Sequence, residues 1–298
     1  MLISRHAVGR GLFVVLICLA VVPQFAWAQV RETNRLAIDE SSRLAAPRGA
    51  MRVEPGEHPL AAVLDYARRE KAFLDSAVHD FTCRLVKRER IEGFLQEYTY
   101  VDLRVREEVR RGDVVEKPLA IFLHFVGPAK VAGRRVLYVQ GENDDKMLVR
   151  NGGRHFDYVL VRIDPNGESA RDESLVPITE SGFKNVLKQM IGILEQHRKI
   201  DADGSNTRVE QLAGAKINKR PCTLTRVEHP REQAGLHFHI ANVFVDDELR
   251  VPVRIEFNLW PKREGQKPPL LAEYTYTDLK LNVGLSDSVF RQSQLRGD

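Results

Sequence analysis

The sequence predicts an α+β protein built on an antiparallel sheet, and three observations carry that expectation. Apolar residues recur at every second position over many short segments. Only two segments switch to a spacing of three and four. The links between strand-like segments are short and rich in hairpin residues, which favours meander pairing over the βαβ alternation of a parallel sheet.

The chain opens with an export pattern. Arg5, His6 and Arg10 precede an apolar run from Leu12 to Val22, and Ala26-Trp27-Ala28 offers a small-x-small cleavage site with Gln29 as the new N-terminus. The run is shorter than the ~20 residues a membrane helix needs. Cys18 lies inside the run behind Ile17, which does not fit a lipidation site. The expected location is the periplasm or the exterior, with cleavage at Ala28/Gln29 and no transmembrane span afterwards. Residues 1–28 are read as a signal peptide, 29–57 as a flexible leader, 58–291 as the folded domain and 292–298 as a C-terminal tail.

Lys and Arg number 45 against 41 Asp and Glu, a net charge of +4. Cleavage would remove Arg5 and Arg10 and leave +2. The signs are well mixed, without the one-sided basic patch of a nucleic-acid binder. No nucleic-acid partner is expected.

His58 to Val78 reads as the first helix. Pro59 suits a first turn, and Leu60, Val63, Leu64, Ala67, Leu74, Ala77 and Val78 make one apolar stripe that continues to Phe81. Phe81–Ile91 and Phe94–Val109 read as strands paired around Glu92-Gly93, a register that sets Arg88 opposite Glu97. Thr99, Val101, Leu103 and Val105 share a face, and Asp102, Arg104 and Arg106 share the other, as in a sheet wet on one side. Pro118–Val126, Arg134–Gln140, Lys146–Arg150 and Tyr158–Ile163 are further strands. The last ends at the turn Asp164-Pro165-Asn166-Gly167.

The second helix is expected to start at an N-cap Thr179 and run to about Lys199, with Phe183, Val186, Leu187, Met190, Ile191 and Leu194 as its stripe. Arg208–Leu212, Lys216–Glu228, Leu236–Val245, Val251–Leu259 and Leu271–Asn282 follow as strands. Pro252 in the fourth of these points to an edge or a bulge.

No residue set names a reaction. Phosphate-loop, dinucleotide, G-x-S-x-G and H-E-x-x-H patterns are missing from the sequence, and no catalytic residue, cofactor or metal is expected. His237-Phe238-His239 places two imidazoles on one strand face without further ligands nearby, and reads as surface or cross-strand histidines. Asp246-Asp247-Glu248 reads as a solvated hairpin turn, and His197 as a satisfied, partly buried histidine. Tyr98, Tyr100, Tyr274 and Tyr276 alternate in two strands and pack across the sheet or wall an apolar ligand. Cys83 and Cys222 form an even pair in an oxidising compartment, which admits a disulfide; two separate buried thiols are the alternative.

Four stretches together resemble an uncharacterised family of secreted bacterial domains of planctomycete type. They are Asp80–Leu85 leading into Lys87-Arg88-Glu89-Arg90, Gly133–Val139 with Gly141, Pro177–Glu180, and Glu273–Asn282. The resemblance covers about residues 58–291. That family in turn is similar to the LolA-like superfamily of periplasmic lipoprotein carriers. It implies an open, strongly curved antiparallel sheet, a half barrel, covered by an N-terminal helix and a mid-chain helix over a hydrophobic cavity. No catalytic residue carries over.

Apolar side chains on the inside of such a sheet forfeit roughly 1.5–3 kcal/mol each when left in water, so the cavity is either filled by the helices or open to a guest. The leading expectation is a non-enzymatic periplasmic protein that binds lipid or lipoprotein acyl chains, as a carrier or envelope sensor. Phe183, Leu187, Met190, Ile191 and Leu194 from the lid helix, and Val253, Ile255 and Phe257 from a strand, are the candidate cleft residues. The alternative is a structural or interaction module of the cell envelope, with a self-filled core and a protein partner. A hydrolase with dispersed catalytic residues is a third reading.

Overall fold

The computed structural model describes residues 51, 56–152 and 159–296. The expected signal, its cleavage point and most of the leader lie outside the described residues, as does Tyr158.

Helix α1 spans Leu60–Ala77 and buries Leu60, Val63, Leu64, Ala67 and Leu74, the stripe its spacing predicts. Pro59 sits at its N-cap, and the ring of His58 replaces a capping side chain. His58 Nδ1 accepts the Leu60 N–H at 3.0 Å, and its Nε2 lies 2.7 Å from the Asp201 carbonyl.

The strands, in chain order, are β1 (Asp80–Ile91), β2 (Phe94–Leu95), β3 (Thr99–Arg106), β4 (Val109–Arg111), β5 (Val114–Lys117), β6 (Ala120–Gly127), β7 (Arg135–Val139), β8 (Met147–Arg150) and β9 (Leu160–Ile163). Two helices follow, α2 (Glu168–Arg171) and α3 (Phe183–Ile200). The chain then forms β10 (Arg208–Ile217), β11 (Arg220–Glu228), β12 (Ile240–Asp246), β13 (Pro252–Asn258) and β14 (Leu270–Leu281). Twelve strands make one sheet, ordered β10-β11-β12-β13-β14-β1-β3-β6-β7-β8-β9 with β2 on β1, while β4 and β5 pair apart from it. Two meanders therefore meet where β14 pairs antiparallel with β1. Strands β9 and β10 form the two edges, so the sheet is open.

Alternation sorts the side chains. Val101, Leu103 and Val105 point into the core, while Asp102, Arg104 and Arg106 point away. The near-continuous apolar run of β6 has a separate cause. Its outer face is covered as well, because Ala120, Phe122, Leu137 and Leu148 pack under Phe290 and Leu295. Those two residues come from the 3-10 turns Asp287–Phe290 and Gln292–Leu295, so the expected tail is packed on the sheet.

Several expectations are corrected. The bases of β1 and β3 are out of step by one residue relative to their hairpin, since Ile91 pairs with Phe94 but Lys87 with Thr99. The expected register holds from Ile91 to Glu89, whose carbonyl accepts the Gln96 N–H, and the extra residue falls opposite Arg88. Arg88 Nε donates to the Gln96 carbonyl at 2.8 Å and its guanidinium lies 4.9 Å from the centre of the Tyr98 ring. The expected strand Phe94–Val109 is three pieces, and its end belongs to the β4–β5 hairpin. Asn218 and Lys219 both take positive φ, which turns the expected strand Lys216–Glu228 into a tight hairpin between β10 and β11. The strand expected from Leu236 starts at Ile240. Pro252 opens an interior strand beside a register shift, the bulge rather than the edge.

Thr179 does not cap the second helix. It lies in a 3-10 turn, Ile178–Glu180, and the N-cap of α3 is Gly182. The cap comes from far away in the chain. Glu107, just past β3, sets its carboxylate against the first turn, with Oε1 3.4 Å from the Lys184 N–H. An anion suits the positive end of a helix.

Cys83 and Cys222 are free, buried thiols, and no disulfide joins them. Cys83 lies on β1 and Cys222 on β11, four strand spacings apart in the sheet, or about 19 Å along it. A disulfide needs Cα atoms within about 7 Å.

Candidate functional site

The concave face of the sheet bounds a cavity of about 860 Å³. Residues of β1, β3, β6, β7, β8, β9, β13 and β14 all line it, which only a sheet wrapped around that space allows. Its apolar wall includes Leu85, Val101, Leu123, Phe125, Val136, Met147, Val149 and Ile163. Val186, Met190 and Ile193 of α3 form one roof, and the segment Ser169–Ser181 forms the other. The volume falls within the ~300–1,000 Å³ of small-molecule pockets.

The candidate cleft residues divide into three groups. Met190, Ile255 and Phe257 line the large cavity. Leu187, Met190, Leu194 and Phe257 line a smaller apolar void of about 60 Å³ between the two long helices and the sheet. Phe183, Ile191 and Val253 line neither. Phe183 is fully buried and stacks on Phe81 with ring centres 4.4 Å apart, 5.0 Å from Tyr276, where it fastens the start of α3. Ile191 packs towards α1, and Val253 is core. The cavity wall also contains Tyr274 and Tyr276, two members of the alternating tyrosine set. The remaining wall residues were visible in the sequence as the odd or even positions of strands β1 to β9. What marks them as a wall is the curvature, which alternation does not encode.

Polar side chains also line the cavity, Gln96, Thr99, Lys130 and Asn151 among them, and a buried polar cluster centres on Lys87 and Glu89. Lys87 and Glu89 are two apart on β1 and so point the same way. Lys87 Nζ lies 2.6 Å from Glu89 Oε2 and 2.7 Å from Ser174 Oγ. Glu89, only 4% exposed, also accepts the Tyr274 hydroxyl at 2.7 Å and the Leu175 N–H at 3.2 Å. Arg134 pairs with Glu173 beside it. These contacts tie the Ser169–Ser181 segment to the sheet.

A second cluster joins the far end of α3 to the sheet. His197 is fully buried, with Nδ1 2.9 Å from His229 Nε2 and Nε2 2.9 Å from His237 Nδ1. The His237 backbone N–H also points at His197 Nε2, at 3.1 Å, which makes that nitrogen an acceptor. The ring proton then sits on Nδ1 and is donated to His229. His229 in turn carries its proton on Nδ1, facing the Asn206 carbonyl and Thr207 Oγ1 at 3.2 Å, and Thr207 donates to Asp201 Oδ2 at 2.6 Å. Burial, then the neighbouring His229 and His237, pushes His197 down to about 3; burial also lowers His229. The three imidazoles form a line of bonds, each nitrogen facing its neighbour. His239 bonds the His229 carbonyl instead, at 2.9 Å. Asp246 is not a solvated turn residue: it is buried, paired with Arg220, and caps the Glu248 and Leu249 N–H groups.

Among the described residues, no helix is long and apolar enough to cross a membrane. Residues 78–295 match the family described as "Protein of unknown function (DUF1571)". A comparison with curated proteins gave no match. Among solved structures, the chain is similar to a putative outer membrane lipoprotein-sorting protein domain from Vibrio parahaemolyticus, at 13% identity and a TM-score of 0.35 over 78% of this chain and 97% of that one. It is similar to the LolA superfamily protein NE2245 from Nitrosomonas europaea, at 10% identity and 0.32 over 78% and 98%. It is also similar to the Pseudomonas aeruginosa MucA/MucB complex, at 14% identity and 0.43 over 78% and 62%.

Proposed function

This chain belongs to the DUF1571 family, and from its interior we infer that it is a non-enzymatic envelope protein that takes an apolar chain, a lipid or the acyl chain of a lipoprotein, into the concave side of its sheet. The observation that carries this reading is the cavity of about 860 Å³ under α3. Burying a chain against its wall gains roughly 25 cal/mol per Å² of apolar surface removed from water. A self-filled structural module would need the two helices to occupy that space, and the apolar residues of α3 divide between the cavity, the small void and the core instead. The export pattern at residues 1–28 supports a periplasmic or exterior setting, where a carrier or sensor of acyl chains has substrate. A protein partner that delivers or receives the chain belongs to the same reading.

The test is native mass spectrometry and lipid extraction of protein purified from its own compartment, with displacement of a fluorescent acyl probe. Co-purifying lipid, or saturable displacement, is expected. Protein free of lipid that neither takes up nor releases the probe overturns the reading.

A further inference from the structure

The polar cluster in the wall says what the guest carries. This step rests on the reading that the cavity holds an acyl chain. Lys87 and Glu89 stand side by side on the concave face of β1, a central strand, and both side chains are largely buried. A buried ion pair in such a place costs desolvation that apolar residues of similar size would avoid. It is also unevenly satisfied. Glu89 receives Lys87, the Tyr274 hydroxyl and the Leu175 N–H, with Ser174 Oγ at 3.2 Å. Lys87 gives one N–H to Glu89 and one to Ser174, and its third has no protein acceptor among the described residues. Lys87 lines the cavity. At this cluster the wall therefore offers the guest a buried hydrogen-bond donor whose charge is already matched.

We propose that Lys87 donates this hydrogen bond to the neutral carbonyl of an acyl ester or amide, so that the cavity takes the acylated form of a chain in preference to the free acid. A carboxylate at that point would find the Lys87 charge already matched by Glu89, 2.6 Å away, and would lose its hydration for little net attraction. A carbonyl needs no countercharge, and a buried donor left without an acceptor loses a bond it would have had in water.

The experiment uses the full chain and two ligands, methyl dodecanoate and dodecanoate, each displacing a fluorescent acyl probe. An ester is easier to desolvate than a carboxylate whatever lines the cavity, so the variants decide. Lys87→Met is expected to weaken methyl dodecanoate roughly three- to tenfold, the range of one net hydrogen bond, after correction for the probe affinity measured separately on each variant. Glu89→Gln leaves the Lys87 charge unmatched and is expected to shift the acid-to-ester ratio towards dodecanoate by about tenfold or more. A third reading needs no variant: the infrared carbonyl band of carbonyl-labelled methyl dodecanoate bound to the unaltered chain should lie below its position in an alkane. A band at the alkane position overturns the inference, whether or not either variant folds. So does an acid-to-ester ratio that both folded variants leave unchanged. If neither ligand displaces the probe and no labelled ester binds, the acyl-chain reading itself fails.

Discussion

Gly182 and Glu107 compete for one volume: a Cβ on Gly182 would stand 2.6 Å from Glu107 Oε2. Glu107 is 1% exposed and cannot swing into solvent. The carboxylate that caps α3 thus demands a residue without a side chain at the cap position, and the link between β3 and β4 positions the lid helix.

Gly182→Ala should therefore push the carboxylate off the helix terminus. A loss of about 1–3 kcal/mol is expected, the cost of disturbing a buried charged hydrogen-bonding group. Urea unfolding checks it. In a Glu107→Ala background the same substitution should cost much less, because the clash has gone; equal costs in both backgrounds would show that the two residues are not coupled.

Burial pushes the Glu107 carboxyl up to about 7, against smaller opposing contributions from the Lys184 and Phe183 N–H groups and the Lys184 charge. A carboxyl whose folded value is raised above the unfolded one contributes stability that is complete below about pH 4.5 and is lost as pH rises through 7. The slope in that window is about 1.4 kcal/mol per pH unit. Glu107→Gln keeps a carbonyl oxygen for the cap and removes the titration. It is expected to be more stable than the unaltered chain at pH 8, with the difference shrinking towards pH 4.5, as read from urea midpoints across pH.

The sheet was legible because its side chains obey a period of two, and the departures were those that depend on one residue. Asn218 and Lys219 look like surface positions inside an alternating run, and only their positive φ values divide it. The site was less legible. The apolar stripe of α3 shows which side of the helix is buried, but Phe183 and Ile191 meet protein where Val186, Met190 and Ile193 meet the cavity, a difference of part of a turn. Glu107 reads as one more charge after a strand until α3 is laid over it. His237 and His239 look like a pair, yet His237 joins His197, and His239 joins the carbonyl of His229. Partners drawn from separate elements leave no spacing to read.

The histidine line predicts a loss of stability in acid. His197 is a base held to about 3 in the fold, below its ordinary 6.5. The neutral ring fits, because Nε2 faces a backbone N–H and a proton there would oppose it. The stability it contributes is present above pH 6.5 and is lost as pH falls towards 3, at about 1.4 kcal/mol per unit. His197→Gln should be less stable at pH 8, since His229 loses its donor, and should show a shallower decline between pH 6 and 4. An acid decline as steep as that of the unaltered chain would rule His197 out as its source.

The two thiols should be found free and slow to react. Burial raises Cys83 well above the ordinary thiol range and pushes Cys222 up to about 11, so little of either is thiolate at neutral pH. Mass mapping under non-reducing conditions is expected to show alkylation of both after denaturation and of neither before it. A Cys83–Cys222 crosslinked peptide would contradict the strand order, which sets them four strands apart.

Narrowing the cavity should weaken binding without unfolding the protein. Met147 on β8 and Ile163 on β9 are paired directly across the sheet, and both face the cavity. Both are only partly buried, so larger side chains have room. Phenylalanine at both positions adds an aromatic cross-strand pair, which sheets favour by a few tenths of a kcal/mol up to about 1, and projects two rings into the space an acyl chain would occupy. Met147→Phe with Ile163→Phe is expected to keep or raise the unfolding midpoint and to weaken acyl-probe binding by about tenfold or more. Intact binding in this stable variant would place the probe away from that stretch of the wall.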